Sequence, residues 1–224
     1  MSSLSEESVK LQELLSKLSV CAIADAMVEL QIQGHLVDVN LVRGYDSPLT
    51  TDICGSAFTV HVVPITGPEV KKLPYHYVDK VGQGDVIVIS APSGITCGLF
   101  GGLLATASKA RGAVGVVTDG CVRDVQELCA LGFPTFSRGT SVHGQQKTTT
   151  AIDVNCPIVV GSRTVRNNDI IRGDVNGVLV IPLERAAEVA ALAKTIEDQD
   201  NKIADELKHG SGLQESFKRC RSEQ

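Results

Sequence analysis

Two short stretches pair residue types that could do chemistry together. Gly101-Gly102-Leu103-Leu104 ends the Gly-rich run Cys97-Gly-Leu-Phe-Gly-Gly102 and opens an Ala/Leu segment to Ala110, whose composition predicts a helix closed by Arg111-Gly112. The first N–H groups of a helix have no intrahelical acceptor, so this start suits a small carboxylate. Arg123-Asp124 follows directly on Thr118-Asp-Gly-Cys-Val122, read as a strand end and turn, and opens a second predicted helix, Asp124 to Leu131. A guanidinium holds a carboxylate through paired hydrogen bonds, and the adjacent Asp either faces away or serves a hard cation such as Mg²⁺. Taken alone, the same two residues equally describe helix capping with a surface ion pair.

Other constellations are weaker. His35, His61, His76, His143 and His209 are scattered, with no H-E-x-x-H, and the seven cysteines include no C-x-x-C pair. The cysteines read as small buried hydrophobes of a reducing compartment. There is no G-x-S-x-G elbow, and Gly98 to Gly102 has neither the Lys-Ser/Thr of a P-loop nor the order of a dinucleotide turn. Lys109 lies near the end of its predicted helix, where the dipole favours a surface cation over a Schiff-base lysine. Arg138 and His143 fall in a polar stretch, Thr135 to Thr150, read as a long surface loop; they either reach the far end of a substrate or are solvated.

The elements that must position these residues follow from periodicity. Glu6 to Leu18 and Val20 to Gln31 have helical spacing, with Ser19 as N-cap of the second. Ala57 to Val63, Asp85 to Ser90 and Ala113 to Thr118 are β-branched runs that read as buried strands. Strand, Gly loop, helix, strand, loop, helix is the rhythm of a parallel α/β sheet, and both candidate loops then fall at carboxyl ends of strands. From Ala151 to Ile181 short strands at close intervals predict a small antiparallel layer, and Leu183 to Leu207 predicts a long amphipathic helix.

Composition narrows the class. The chain has 224 residues, a formal charge of −5, 43% hydrophobic and 21% charged residues. That is too apolar for disorder, and no apolar run reaches the roughly 20 residues a bilayer span requires. No basic cluster offers a nucleic-acid footprint, and Met1-Ser-Ser-Leu-Ser-Glu-Glu lacks the charged and apolar regions of a signal peptide, so a cytoplasmic protein is expected.

The spacing carries a resemblance. Gly102 and Arg123 are separated by 20 residues, and Arg123-Asp124-Val-Gln-Glu127 follows. This resembles the acid-x20-R-D signature, with its R-D-x-x-E/D extension, of the RraA-like family, which includes the metal-dependent 4-hydroxy-4-methyl-2-oxoglutarate aldolases. Further blocks in family order are Ser19-Val-Cys-Ala-Ile-Ala-Asp-Ala26, Cys54 to Val60, Phe133 to Ser141 and Gly173 to Val178. The resemblance implies one domain over residues 1–224, an α/β swivelling β/β/α three-layer fold with N-terminal helices at about 5–31 and a C-terminal helical region at about 183–218. It also implies homotrimers or homohexamers with active sites at subunit interfaces.

Carried over by position, the resemblance makes Asp124 the ligand of Mg²⁺ or Mn²⁺, with water filling most remaining positions. Arg123 would hold the pyruvyl part of a 2-oxo acid, and the amides of Gly101, Gly102, Leu103 and Leu104 its carboxylate. The implied activity is cleavage of 4-hydroxy-4-methyl-2-oxoglutarate or 4-carboxy-4-hydroxy-2-oxoadipate to pyruvate, with oxaloacetate decarboxylation through the same enolate. The family's name-giving bacterial members imply an alternative, a non-enzymatic regulator that binds a ribonuclease or helicase. One departure stands out: Gly102 occupies the place where the signature usually has Asp or Glu, leaving Asp119, Glu127 or water to replace that acid. Glu197, Asp198 and Asp200 are candidates for a carboxylate lent to a neighbouring subunit, or else a solvated helix face.

Overall fold

The structure is a computed structural model that describes residues 6–43 and 52–221, with side chains from residue 8 onward. The first residues, on which the reading of a leaderless start rests, lie outside it. The α-helices among the described residues are α1 (Glu6–Ser16), α2 (Val20–Glu29), α3 (Gly102–Ala110), α4 (Val125–Ala130), α5 (Ala186–Lys208) and α6 (Leu213–Arg221). The strands are β1 (Asn40–Leu41), β2 (Ile53–Pro64), β3 (Asp85–Ser90), β4 (Gly98–Phe100), β5 (Gly115–Val122), β6 (Thr135–Thr140), β7 (Thr149–Val154), β8 (Ile158–Val160), β9 (Arg163–Val165), β10 (Ile170–Asp174) and β11 (Gly177–Ile181).

The near-continuous apolar runs become the middle of the main sheet, in the order β1-β6-β5-β3-β2-β10-β11. β2, β3, β5 and β6 pair in parallel; α3 supplies the crossover from β3 to β5 and α4 that from β5 to β6, while β2 reaches β3 through residues 65–84, which include a short 3-10 turn, Tyr77–Lys80. These strands are covered on both faces. Ile87 and Ile89 pack with Phe58, Leu99, Phe100, Ala105 and Leu128, while Val86 and Val88 pack with Ile158, Val160, Val165 and Ile171. A third cluster joins α1, α2 and α5 to Ile170, Leu179 and Ile181 of the β10–β11 hairpin. Ser19 caps α2 as expected, its hydroxyl accepting from the Cys21 N–H at 3.2 Å. The sheet is rolled: three strands, β5, β3 and β2, lie between β6 and β10 in its order, yet a Cβ built on Gly173 of β10 would lie 3.2 Å from the Phe136 ring of β6.

The structure corrects three expectations. The stretch beginning at Thr135 is not all surface loop, because Thr135, Phe136 and Ser137 are buried in β6 and both hydroxyls donate to nearby carbonyls, of Phe133 and Gly139. β-branched Thr with a satisfied hydroxyl fits a buried strand, whatever its polarity. Thr118 to Val122 does not turn; it continues β5 through a register shift. The antiparallel strands after Ala151 do not form a separate layer either. β7 and β10 both pair with β2 and so join the main sheet, and β8 with β9 alone forms a two-stranded ribbon.

Among the described residues the seven cysteines form no disulfide. Burial pushes the Cys54 thiol up to about 11, against the opposing pull of the Arg172 guanidinium. Cys97 is buried, and Cys21 is exposed on α2. At pH 7.5 a maleimide is expected to label Cys21 within minutes and to reach Cys54 and Cys97 only after denaturation, as read by peptide mass spectrometry.

Candidate functional site

Strand pairing brings the two candidate loops together. β4 lies parallel to β5, with Gly98 opposite Cys121 and Phe100 opposite Val122, so their carboxyl ends are adjacent. The Arg123 N–H donates to the Phe100 carbonyl at 3.0 Å, which pins the start of one loop to the end of the other. Gly101 is then the N-cap of α3, with no side-chain cap.

Asp124 adopts the left-handed conformation, φ 57° and ψ 40°, which Asp tolerates better than most residues. This turns its carboxylate back onto α3. Oδ2 accepts the Gly102 N–H at 3.0 Å and lies 3.5 Å from the Arg123 Nε. The Gly102 amide, expected to face a substrate carboxylate, is therefore already engaged. The Leu103 and Leu104 N–H groups belong to the first turn, which has no intrahelical acceptors.

Small residues make room for both charged groups. A Cβ built on Gly101 would lie 2.6 Å from Asp124 Oδ2, one on Gly98 3.2 Å from the Arg123 Cβ, and one on Gly144 3.0 Å from Arg123 Nη1. The Arg123 side chain thus runs between glycines of two separate segments, the end of β4 with the start of α3 and the loop after β6. Gly144 reaches it because the loop after β6 folds back, the Gly98 N–H donating to the His143 carbonyl at 2.7 Å. Sequence reading missed Gly98 and Gly144; for Gly144 there was no local signal, since its role arises from a contact between distant segments.

The place left by Gly102 is filled. A Cβ there would lie 1.9 Å from Glu127 Oε2, so the Glu127 carboxylate occupies the space beside the α3 N-terminus. Glu127 and Asp124 sit three residues apart at the start of α4, on one face. The other suggested substitute, Asp119, is committed elsewhere: its oxygens accept from the Ala91 N–H at 2.7 Å and the Gly161 N–H at 3.2 Å.

Of the remaining candidates, His143 is brought beside Gly98 through its carbonyl, with its side chain exposed, and the others are not brought to this site within the chain. Lys109 Nζ donates to the Leu131 carbonyl, and Arg138 lies exposed on β6. Glu197 Oε1 accepts the Ser19 N–H at 2.7 Å, Asp198 pairs with Lys194, and Asp200 pairs with Arg221 at 2.6 Å. Among the described residues no three His, Cys, Asp or Glu side chains cluster as a metal cage. Two hard carboxylates at the mouth of a loop do fit Mg²⁺, which keeps several waters and takes one or two protein carboxylates.

The RraA-like family model, described as Aldolase/RraA, matches residues 20–180. The chain belongs to the RraA-like family. Its α/β fold is the one expected from that membership, and a solved structure of similar length shares it: the uncharacterized protein from Pseudomonas syringae pv. tomato superposes with a TM-score of 0.83 at 27% identity, over 96% of this chain and 99% of that one. Protein DlpA of Legionella pneumophila is 31% identical over 94% of this chain, which spans only 34% of that longer relative. A relative from Halalkalibacterium halodurans named "Putative 4-hydroxy-4-methyl-2-oxoglutarate aldolase" is 36% identical, over 66% of this chain and 68% of its own length. No helix among the described residues is long and apolar enough to cross a membrane.

Proposed function

We propose that this RraA-like chain is a divalent-metal-dependent lyase that cleaves 4-hydroxy-4-methyl-2-oxoglutarate or a related 4-hydroxy-2-oxo acid to pyruvate, and that it decarboxylates oxaloacetate. The observation that carries this reading is the convergence of Arg123, Asp124, Glu127 and the α3 N-terminus on one point at the carboxyl ends of β4 and β5. Asp124, assisted by Glu127, would hold Mg²⁺ or Mn²⁺, and the bound ion would polarise the 2-oxo group of the substrate. Arg123 stands where it can grip the pyruvyl carboxylate and oppose the negative charge that grows on the keto oxygen as the C–C bond breaks. The free Leu103 and Leu104 amides offer a second hold on that carboxylate.

Glu127 takes the place of the acid that Gly102 lacks, holding a water or a proton near the departing carbon. Gly102→Ala tests this. Its methyl group displaces the Glu127 carboxylate and also meets the Glu127 Cβ at 3.2 Å, a contact that a small shift of α4 relieves, so the fold is expected to survive with a slightly lower melting temperature. Pyruvate formation is expected to fall by about 10², and Gly102→Asp combined with Glu127→Ala to recover much of it.

Leu103 is 83% exposed and Val142, in the loop that carries Gly144, 88% exposed. Apolar side chains left in solvent beside the site support a homotrimer or homohexamer with the site at a subunit interface. The central test is lactate-dehydrogenase-coupled pyruvate release from each keto acid, with Mg²⁺ or Mn²⁺ and with chelator, corrected for spontaneous oxaloacetate decay. Release that ignores chelator overturns the reading. So does tight capture of a ribonuclease together with silence on the whole substrate panel.

A further inference from the structure

A cleft of about 460 Å³ opens between α2 and the β10–β11 hairpin and shares no residue with the site above. Its wall is aliphatic, built by Val20, Ala24, Met27, Val28, Ile32 and Leu179. Val28 stands at its lip, 74% exposed. The rim is polar but carries no Asp or Glu: Gln33, His35, Arg163 and Asn176 line it. Arg163 is its one full charge, held in place by Nη1 donating to Gln33 Oε1 at 2.7 Å and Nε donating to the His35 carbonyl at 3.4 Å. No ion pair neutralises it among the described residues, and Nη2 has no protein acceptor there.

The backbone is shaped to keep this space open. A Cβ on Gly34 would lie 2.2 Å from both the Met27 Cε and the Val180 carbonyl oxygen, so the strand-like segment before β1 closes directly onto α2 beneath the cleft. Gly177, at φ +143°, leaves the His35 ring clear at the rim.

We propose that this cleft binds an amphipathic monocarboxylate, its acyl chain lying along the α2 wall and its carboxylate on Arg163 and Gln33. The volume lies within the range of about 300–1,000 Å³ typical of small-ligand sites. Charge complementarity selects the head group: in a chain of net charge −5, this is an acid-free cleft with one fixed, unpaired guanidinium at its mouth. A neutral apolar molecule would leave that charge unanswered, and an ammonium head would be repelled.

The test is isothermal titration of the full chain with octanoate, 1-octanol and octylammonium, all below micelle formation. Octanoate is expected to bind saturably at one per chain, at least about tenfold tighter than octanol, with octylammonium weakest. Arg163→Met should reduce octanoate to the octanol level. Ala24→Phe should abolish both, and Val28→Glu, at an exposed position that does not threaten the fold, should weaken octanoate about tenfold. Equal affinities for octanoate and octanol, or an unaffected Arg163→Met, would reduce the cleft to ordinary apolar surface and overturn the proposal. Absence of saturable octanoate binding would overturn it too. So would loss of self-association in Val28→Glu by sedimentation velocity without octanoate binding in the parent, since a second copy would then cover the cleft.

Discussion

Asp124→Ala is expected to lower metal-dependent pyruvate formation by about 10³ or more, the scale of losing a group that acts directly on developing charge. Three roles meet on this side chain. It is the proposed metal ligand, it accepts the Gly102 N–H, and it lies against the Arg123 guanidinium. Asp124→Asn separates them. Asn tolerates the left-handed backbone and can still accept the Gly102 N–H, so the melting temperature should stay near that of the parent, yet the amide has no charge for a cation. Activity in Asp124→Asn should therefore fall almost as far as in Asp124→Ala. The ion pair itself contributes little to stability, since both side chains are partly solvated. Full activity in either variant would remove Asp124 from the chemistry.

The largest stability effect is expected at Arg172. Its guanidinium is buried, with 3% of the residue exposed, and donates to the carbonyls of Ile53 at 3.3 Å, Gly173 at 2.9 Å, Ser16 at 3.4 Å and Leu18 at 3.2 Å. Two of these acceptors lie at the end of α1, which has no basic residue in its last turn. The Asp52 carboxylate completes the set at 3.1 Å. Arg172→Met leaves several buried carbonyls without donors. Asp52 is 61% exposed and can return to water, so no stranded buried charge adds to the penalty. An estimate of about 3 kcal/mol follows from the orphaned acceptors. For a chain of this size that is a drop of roughly 6–12 °C in melting temperature. Lys at this position cannot reproduce the planar fork and should recover less than half of the loss. Urea denaturation with circular dichroism measures both.

The parts of this architecture written in local pattern were legible from sequence. Val86 to Ile89 and Val116-Val117 are apolar on consecutive positions, which only a strand covered on both faces explains. Gly101-Gly102 and Arg123-Asp124 lay at strand ends by simple alternation of elements. What was not legible depends on distant contacts. β4 is three residues long and gains its identity only by lying beside β5. Thr135 and Ser137 are polar by composition and buried by partnership. The Gly102 departure left three substitutes open, and only the fold shows where the two carboxylates stand: Asp119 is tied to Ala91 and Gly161, and Glu127 lies beside Gly102.

β2 pairs with three partners: β3 along its middle, β10 along its first residues and β7 along its last. During synthesis this bears on timing. β2 ends at Pro64, whereas β7 begins at Thr149 and β10 at Ile170, so the edge opposite β3 has no native mate until more than eighty further residues have left the ribosome, and its first residues have none until more than a hundred have. Throughout that interval an aliphatic, hydrogen-bond-hungry edge is open to other chains. The nascent chain is therefore most prone to aggregate before the polypeptide reaches the Arg172 clasp.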